Sequence, residues 1–310
     1  MTAGALARAA EVLGDAARRD VPLGPLTTYR VGGPAALLVD VHTEDDLARL
    51  VAAVRASGAP VLVVGRGSNL LVADAGFPGI AVVLGEAYAT VTLDGTTVRA
   101  GGATALPVLA RRTAGAGLRG LEWAVGVPGS VGGAVRMNAG GHGSDVSASL
   151  VEVRVVDLAS GHDEVVGAAD LDLGYRRSAL APTAVVLEGT FALRRGDAEA
   201  AGAEVAEIVR WRREHQPGGQ NAGSVFTNPP GDAAGRLVDV AGCRGLRLGT
   251  AQVSPKHANF IQADPGGSAD DVAALIAEVR RRVAEATGVA LRPELRMEGF
   301  GPQAPVEVEG

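Results

Sequence analysis

Two glycine-rich stretches are where the residue types and spacing of this chain could hold a reactive ligand. In the first, the apolar run Val61–Val64 leads straight into Gly65-Arg66-Gly67-Ser68-Asn69-Leu70. A turn of this kind can aim several backbone N–H groups, the Ser68 hydroxyl and the Asn69 amide at one point. That is a nest for an anion such as a pyrophosphate. It is no P-loop, since no Gly-Lys-Ser/Thr follows, and the third glycine of the dinucleotide fingerprint is missing. An ordinary β-turn accounts for it equally well. The second stretch has glycines at 126, 129, 132, 133, 140 and 141, with Pro128 among them. Such density predicts neither a regular strand nor a helix. Gly132 and Gly133 would let a flat group lie against bare main chain. Together the two stretches suit a bulky dinucleotide with a flat ring. A third, Gly115-Ala-Gly117-Leu-Arg-Gly120, matches G-x-G-x-x-G in letters only. It follows a helical pattern instead of a strand, so Gly115 and Gly117 read as a helix C-cap.

The elements around these loops are legible from periodicity. Leu37–Val41 reads as a buried strand. Thr43 then caps a helix whose first turn holds Glu44, Asp45 and Asp46, where acids favour the dipole. Leu47, Leu50, Val51 and Val54 give it one apolar face, and Gly58 ends it. With the strand Val61–Val64, residues 27–85 form a small strand–helix–strand unit. Further strands are expected at Ala81–Leu84, Thr90–Leu93 and Thr97–Ala100, the last two joined through Asp94-Gly95, a hairpin signal. A helix over about 104–116 follows, then strands at 150–157, 164–166 and 185–193. Helices near 199–214, 231–241 and 268–288 and a strand near 259–261 complete the pattern, with Ser268 as the cap of the last helix. The first 20 residues read as a short helix or an extension, and the tail from Phe300 as loose.

Composition narrows the function. The 310 residues are 47% hydrophobic and 21% charged, which suits an ordinary globular chain of about two domains. Net charge is −6, so no basic excess exists to neutralise nucleic-acid phosphates. Cys243 is the single cysteine, which excludes an internal disulfide and any multi-cysteine metal site; no metal is expected. No apolar stretch is long enough to span a bilayer, and the N-terminus lacks the order of a signal peptide, so the expectation is a cytoplasmic protein.

Several segments carry a resemblance. They are Thr28-Tyr-Arg-Val-Gly-Gly-Pro-Ala35, Gly65-x-Gly-Ser-Asn-Leu-Leu71, Gly126-x-Pro-Gly-x-x-Gly-Gly-Ala-x-x-Met-Asn-Ala-Gly140 and Tyr175-Arg-Arg-Ser178. Asn221-Ala-Gly-Ser-Val-Phe-Thr-Asn-Pro229, Lys256-His-Ala-Asn-Phe-Ile261 and Leu291-Arg-Pro-Glu-Leu-Arg296 follow. In this order and spacing the chain resembles the UDP-N-acetylenolpyruvoylglucosamine reductases. The resemblance implies an α+β protein. Its FAD-binding domain would be of the vanillyl-alcohol-oxidase/PCMH type, with two α+β subdomains at 20–85 and 86–197. A C-terminal substrate domain would cover 198–300, with a last strand near 289–298 that could return to the FAD domain. The short interval between Ser178 and the strand at Val185 fits the shorter, type II form.

The resemblance also implies an activity: reduction of the enolpyruvyl ether of UDP-N-acetylglucosamine to UDP-N-acetylmuramate, with non-covalent FAD and NADPH. By motif, Arg176, Ser224 and Glu294 match the catalytic arginine, proton-donating serine and glutamate. FAD would lie along Gly65, Gly67, Ser68, Asn69 and Leu70, and along Gly126, Pro128, Gly129, Ser130, Gly132, Gly133, Ala134, Asn138 and Gly140. Substrate would meet Tyr175, Asn228, Arg244 and Lys256. A fixed cation beside an enolate stabilises it selectively, and a hydroxyl is acid enough for so basic a carbon. Glu294 could hydrogen-bond the enolate if protonated, or position Arg176 and water if ionised. Thr227 and His215 stand where the family usually has lysines, and Ala263 where it has Asn. The partner is a small molecule, with no nucleic acid or membrane, and the protein is expected as a monomer or weak oligomer. Two rivals remain: another flavin oxidoreductase of this fold, with FAD tethered through His or Cys, and a non-catalytic flavin- or nucleotide-sugar-binding relative.

Overall fold

The computed structural model describes residues 3–301, which divide into two compact units. The first takes the chain up to residue 20, then 36–66 and 79–212; the second takes 21–35, 67–78 and 213 onward.

The first unit has two hydrophobic cores. One lies where helices α1 (Ala3–Leu13) and α2 (Glu44–Ser57) pack with a four-stranded sheet. The order of that sheet is Ala17–Pro22, Pro34–Val41, Phe77–Leu84, Val61–Val63, with the last two parallel. Leu13, Leu50 and Ile80 are almost wholly buried here. Helix α2 starts as its sequence dictates. The Thr43 hydroxyl accepts the Asp46 N–H at 3.1 Å, and the Asp46 carboxylate accepts the Thr43 N–H at 3.0 Å. Gly58 ends the helix in the left-handed region, at φ +62°. The strand Ala17–Pro22 has no apolar alternation, with only Ala17 and Val21 partly buried. Hence periodicity gave no sign of it.

The second core sits on a five-stranded antiparallel sheet ordered Asp163–Gly167, Leu150–Asp157, Ala184–Ala192, Thr97–Gly101, Val91–Asp94. Asp94-Gly95 makes the expected hairpin, with Asp94 opposite Thr97. Helix α3 (Leu106–Gly115) and helix α4 (Val131–Arg136) pack into this core. Helix α4 corrects the expectation that the second glycine stretch would hold no regular structure. Ser130 caps it by accepting the Gly133 N–H at 3.3 Å, and Val131, Ala134 and Val135 are buried. A cap worth about 1 kcal/mol and three apolar anchors offset the helix-weakening glycines. Gly117, at φ +67°, follows the C-cap Ala116 and ends the α3 region, whereas Gly115, read from sequence as part of the cap, is the last residue of the helix itself. Helix α5 (Ala198–His215) closes the unit with a narrow buried stripe: Ala201, Val205 and Ile208.

The second unit has one core, formed by α6 (Ala234–Val240), α7 (Ala269–Thr287) and the sheet Arg247–Leu248, Ala251–Val253, Ile261–Ala263. That last strand starts two residues later than expected, so Asn259 lies outside it. Helix α7 has two caps. Ser268 Oγ accepts the Asp271 N–H at 3.1 Å, and the Asp74 carboxylate accepts the N–H groups of Ala269 and Asp270 at 2.9 and 3.2 Å. Within this unit Leu70–Val72 pairs in parallel with Arg296–Glu298. Phe300, read from sequence as the start of a loose tail, packs on this core; the rest of that tail, from 302, lies outside the described residues.

Candidate functional site

The glycine stretches meet in the first unit. A cavity of about 240 Å³ is walled by the backbone turns Val63–Arg66, Gly102–Ala103 and Ser130–Gly133, with Val83, Arg136 and Val186 among its other linings. Gly65 closes on Ser130 so tightly that a Cβ there would stand 2.6 Å from Ser130 Oγ. The walls at Gly132 and Gly133 are bare main chain. The N-terminus of α4 is too short a feature to hold an anion alone, but here it shares its cavity with the Gly65 turn. These residues fit a phosphate-bearing dinucleotide that lies against backbone. Arg136 is tied down by the carbonyls of Ala181 and Ala184, at 3.0 and 2.6 Å.

The first glycine turn passes between units, Gly65 and Arg66 in the first and Gly67 onward in the second. Gly67 has φ +59°, and a Cβ there would collide with the Leu26 carbonyl. No other residue type fits this turn. Ser68 and Asn69 are half-buried, and Leu70 enters the parallel strand pair. Asn69 is engaged within its own unit: its amide donates to the Glu294 carbonyl at 3.2 Å, and its carbonyl accepts the Arg296 N–H at 3.1 Å.

In the second stretch, Pro128 is exposed and the Gly129 carbonyl accepts the Leu106 N–H at 3.0 Å. Gly126 faces Ile208 and His142, and Ala134 is packed in the core. Asn138 is buried, and its amide is fully used. It donates to Asp145 at 3.3 Å and to the Gly174 carbonyl at 3.1 Å, and accepts the Ser147 N–H at 3.0 Å. That bond to Gly174 matters for Arg176. Gly174 and Arg177 exchange N–H···O bonds of 3.0 and 3.1 Å, so Tyr175 and Arg176 form the tip of a tight turn. Arg176 has φ +55°, unusual for a non-glycine residue. Its guanidinium faces the Gly140 carbonyl at 3.4 Å and lies 5.4 Å from the ring of Tyr175, which is 64% exposed. A strained, over-determined backbone of this kind is typical of functional positions.

Ser224 and Glu294 belong to the second unit, on two neighbouring extended segments. The Glu294 N–H donates to the Val225 carbonyl at 2.8 Å, and the Thr227 N–H to the Arg292 carbonyl at 3.0 Å. Phe226 bridges Pro293 between those bonds. Both side chains are half-buried. The other expected substrate contacts are also in this unit. The Asn228 side-chain oxygen accepts the Ala234 N–H at 2.9 Å at the start of α6. Arg244 is held bidentately by Asp239, at 2.6 and 2.8 Å, and donates to the Pro255 carbonyl. Lys256 Nζ donates to the Arg213 carbonyl at 2.6 Å. Burial and the Arg244 charge together keep the His257 imidazole below its ordinary range. Cys243 is buried in the unit's core, and burial pushes its thiol up, away from nucleophile chemistry. Among the described residues no His/Cys/Asp/Glu group gathers to hold a metal, and no helix is long and apolar enough to cross a membrane.

The cavity suits a dinucleotide held against main chain, and the comparisons make its class a flavoprotein with an FAD-binding domain. Residues 35–166 match the model of an FAD binding domain, and residues 215–298 that of the UDP-N-acetylenolpyruvoylglucosamine reductase C-terminal domain. The UDP-N-acetylenolpyruvoylglucosamine reductase of Paramagnetospirillum magneticum is 43% identical over 91% of this chain and 91% of its own length. That of Heliobacterium modesticaldum is 45% identical over 90% and 89%. The crystal structure of UDP-N-acetylenolpyruvylglucosamine reductase from Thermus caldophilus superposes with a TM-score of 0.80 at 38% identity, covering 91% of this chain and 99% of that one. The chain belongs to the UDP-N-acetylenolpyruvoylglucosamine reductase family.

Proposed function

We infer that this chain reduces UDP-N-acetylglucosamine enolpyruvate to UDP-N-acetylmuramate for peptidoglycan precursor synthesis, with FAD as cofactor and NADPH as reductant. The observation that carries this is family membership at 43–45% identity over some nine-tenths of the chain, with both the FAD-binding and C-terminal models matched. The glycine-walled cavity of the first unit supports the cofactor assignment. Gly65, Ser130, Gly132 and Gly133 would hold the dinucleotide against main chain, with no covalent link required.

When bound, the flavin supplies hydride, drawn from NADPH, to the terminal carbon of the enolpyruvyl double bond. The residues of the chain deal with the charge and proton that remain. Negative charge gathers on the substrate carboxylate as an enolate. The planar guanidinium of Arg176 neutralises it bidentately, and the tight turn beneath holds that charge in place in advance. The Ser224 hydroxyl gives its proton to the carbon next to the carboxylate and regains one from solvent. Glu294, on the hydrogen-bonded neighbouring segment, supplies the second polar group beside Ser224. Asn228, Arg244 and Lys256 offer polar and cationic groups for the nucleotide part of the substrate. Arg244 and Lys256 answer for part of the positive charge that Thr227 and His215 do not provide.

The test is anaerobic visible absorbance of the purified protein. NADPH should bleach the flavin band, and UDP-N-acetylglucosamine enolpyruvate alone should restore it. Folded protein without flavin would overturn the assignment. Bleaching without recovery would move the chain to another flavin oxidoreductase of this fold.

A further inference from the structure

Asn259 stands out among the buried polar side chains of the second unit. It is 4% exposed, in the Lys256–Ile261 segment just before the strand Ile261–Ala263. Its side-chain amide reads both backbone groups of one residue. The Phe226 N–H donates to Asn259 Oδ1 at 3.0 Å, and Asn259 Nδ2 donates to the Phe226 carbonyl at 2.9 Å. Its own carbonyl accepts the Val225 N–H at 2.9 Å. Its own N–H donates to His257 Nδ1 at 3.3 Å, an acceptor role that needs the imidazole unprotonated on that nitrogen.

The geometry on the opposite edge shows why this matters. There the segment after Ser224 faces Arg292–Glu294, bonded at Val225 and Thr227; Phe226 and Pro293, between those bonds, are the non-hydrogen-bonded pair, so the N–H and carbonyl of Phe226 point to the other edge. On that edge both groups meet the Asn259 amide, which takes the place of a partner strand. Immediately before Ser224, Gly223 sits at φ +77° and meets nothing within 4 Å of where a Cβ would lie. Ser224 thus follows a glycine whose N–H donates to Asn221 Oδ1 at 3.0 Å, and it leads into a dipeptide clamped on both edges. The clamp on Val225 and Phe226 therefore bears directly on where its Oγ lies.

We propose that Asn259 is a positioning residue for the Ser224 proton donor: its amide sets the register of Val225–Thr227, and with it the reach of the Ser224 hydroxyl. This rests on the proton-donor reading of Ser224 above. It forms no bond to substrate and carries no proton itself.

The experiment compares wild type, Asn259→Ala, Asn259→Asp and Ser224→Ala as flavin-loaded proteins. Three quantities are read: the rate of bleaching by NADPH, the rate of recovery on adding substrate, and the solvent deuterium isotope effect on recovery. In Asn259→Ala, bleaching and KM should stay within about twofold of wild type, while recovery falls by about tenfold or more, since small misplacements cost rate steeply. The isotope effect on recovery should rise, because proton delivery has become the slow step. Asn259→Asp keeps the acceptor for the Phe226 N–H and regains a donor only when its carboxyl is protonated. Its recovery should therefore improve on acidification relative to wild type measured alongside. If Asn259→Ala does not fold, this pH profile decides. Recovery within about twofold of wild type, or slow recovery with an unchanged isotope effect, would overturn the proposal. So would an Asn259→Asp profile parallel to wild type. The Ser224→Ala arm separates the two readings. If that variant recovers normally, the proton-donor assignment fails on its own account; if it does not recover and the Asn259 variants do, only the positioning role fails.

Discussion

Arg176 pairs an unfavourable backbone with the proposed role for its charge. At φ +55° the turn would suit Asn or Gly, yet the residue is an arginine, and Asn138 spends an N–H on the Gly174 carbonyl to hold that turn. The two contributions can be separated. Arg176→Ala should lower turnover by two to three orders of magnitude or more, since a fixed donor at a developing oxyanion is worth roughly 3–4 kcal/mol. Arg176→Lys keeps the charge but loses the fork, and should fall between. A loss smaller than about tenfold for alanine in steady-state turnover would count against the role. For Ser224→Ala the expected pattern differs: flavin content and bleaching by NADPH are retained, and recovery by substrate is lost, as stopped-flow absorbance would show.

Among the elements, sequence reading succeeded where a local rule acts. Thr43, Asp46 and Gly58 bound α2 through side-chain caps and a left-handed glycine, all visible as letters. Ser268 did the same for α7. Reading failed where a partner distant in the chain decides. Nothing in Val131–Arg136 announces a helix; the surrounding core that takes up Val131, Ala134 and Val135 makes it one. The role of Asn259 is hidden for the same reason, since its partner Phe226 is 33 positions away. The signal was there: an amide in an otherwise apolar Ala-Asn-Phe-Ile run must find internal partners. The proposed catalytic trio was legible only through the motifs, because an arginine, a serine and a glutamate carry no spacing rule of their own. Two predictions belong to this scale. Thr43→Ala should cost about 1 kcal/mol in a denaturant titration, the usual worth of a cap. Gly67→Ala, which forces a Cβ against the Leu26 carbonyl at positive φ, should cost more than that, and the purified protein should carry less flavin, read as the absorbance ratio of flavin to protein.

For the whole molecule, titration and connectivity set conditions of use. Burial, with help from Arg212 and Arg244, keeps the imidazoles of His142 and His257 below their ordinary range. Their contribution to stability is therefore complete above about pH 6.5 and is lost as the pH falls below it, because the unfolded chain takes up the protons first. Glu278, hydrogen-bonded by Arg281 and Arg282 on α7, is held at about 2. Its contribution is present above the ordinary carboxylate value and is lost as the pH falls from there towards 2. Melting temperature should thus be flat near neutrality, decline through mild acid and decline again below about pH 4.5; replacing both histidines with glutamine should flatten the first step. Connectivity has a consequence for biosynthesis. The second unit is made of three separated pieces of chain, and Asn69 waits for Glu294, 225 positions downstream, to reach its partner. At about 5–20 residues per second, a ribosome leaves the Leu70–Val72 strand without its partner, Arg296–Glu298, for on the order of ten seconds or more. During that interval Tyr29, Val31 and Leu71, which end up inside a core built mostly from the last hundred residues, are exposed on the nascent chain. An mRNA truncated before that last third would strand these apolar side chains permanently, making the unfinished product a substrate for chaperones and proteases instead of a half-working enzyme.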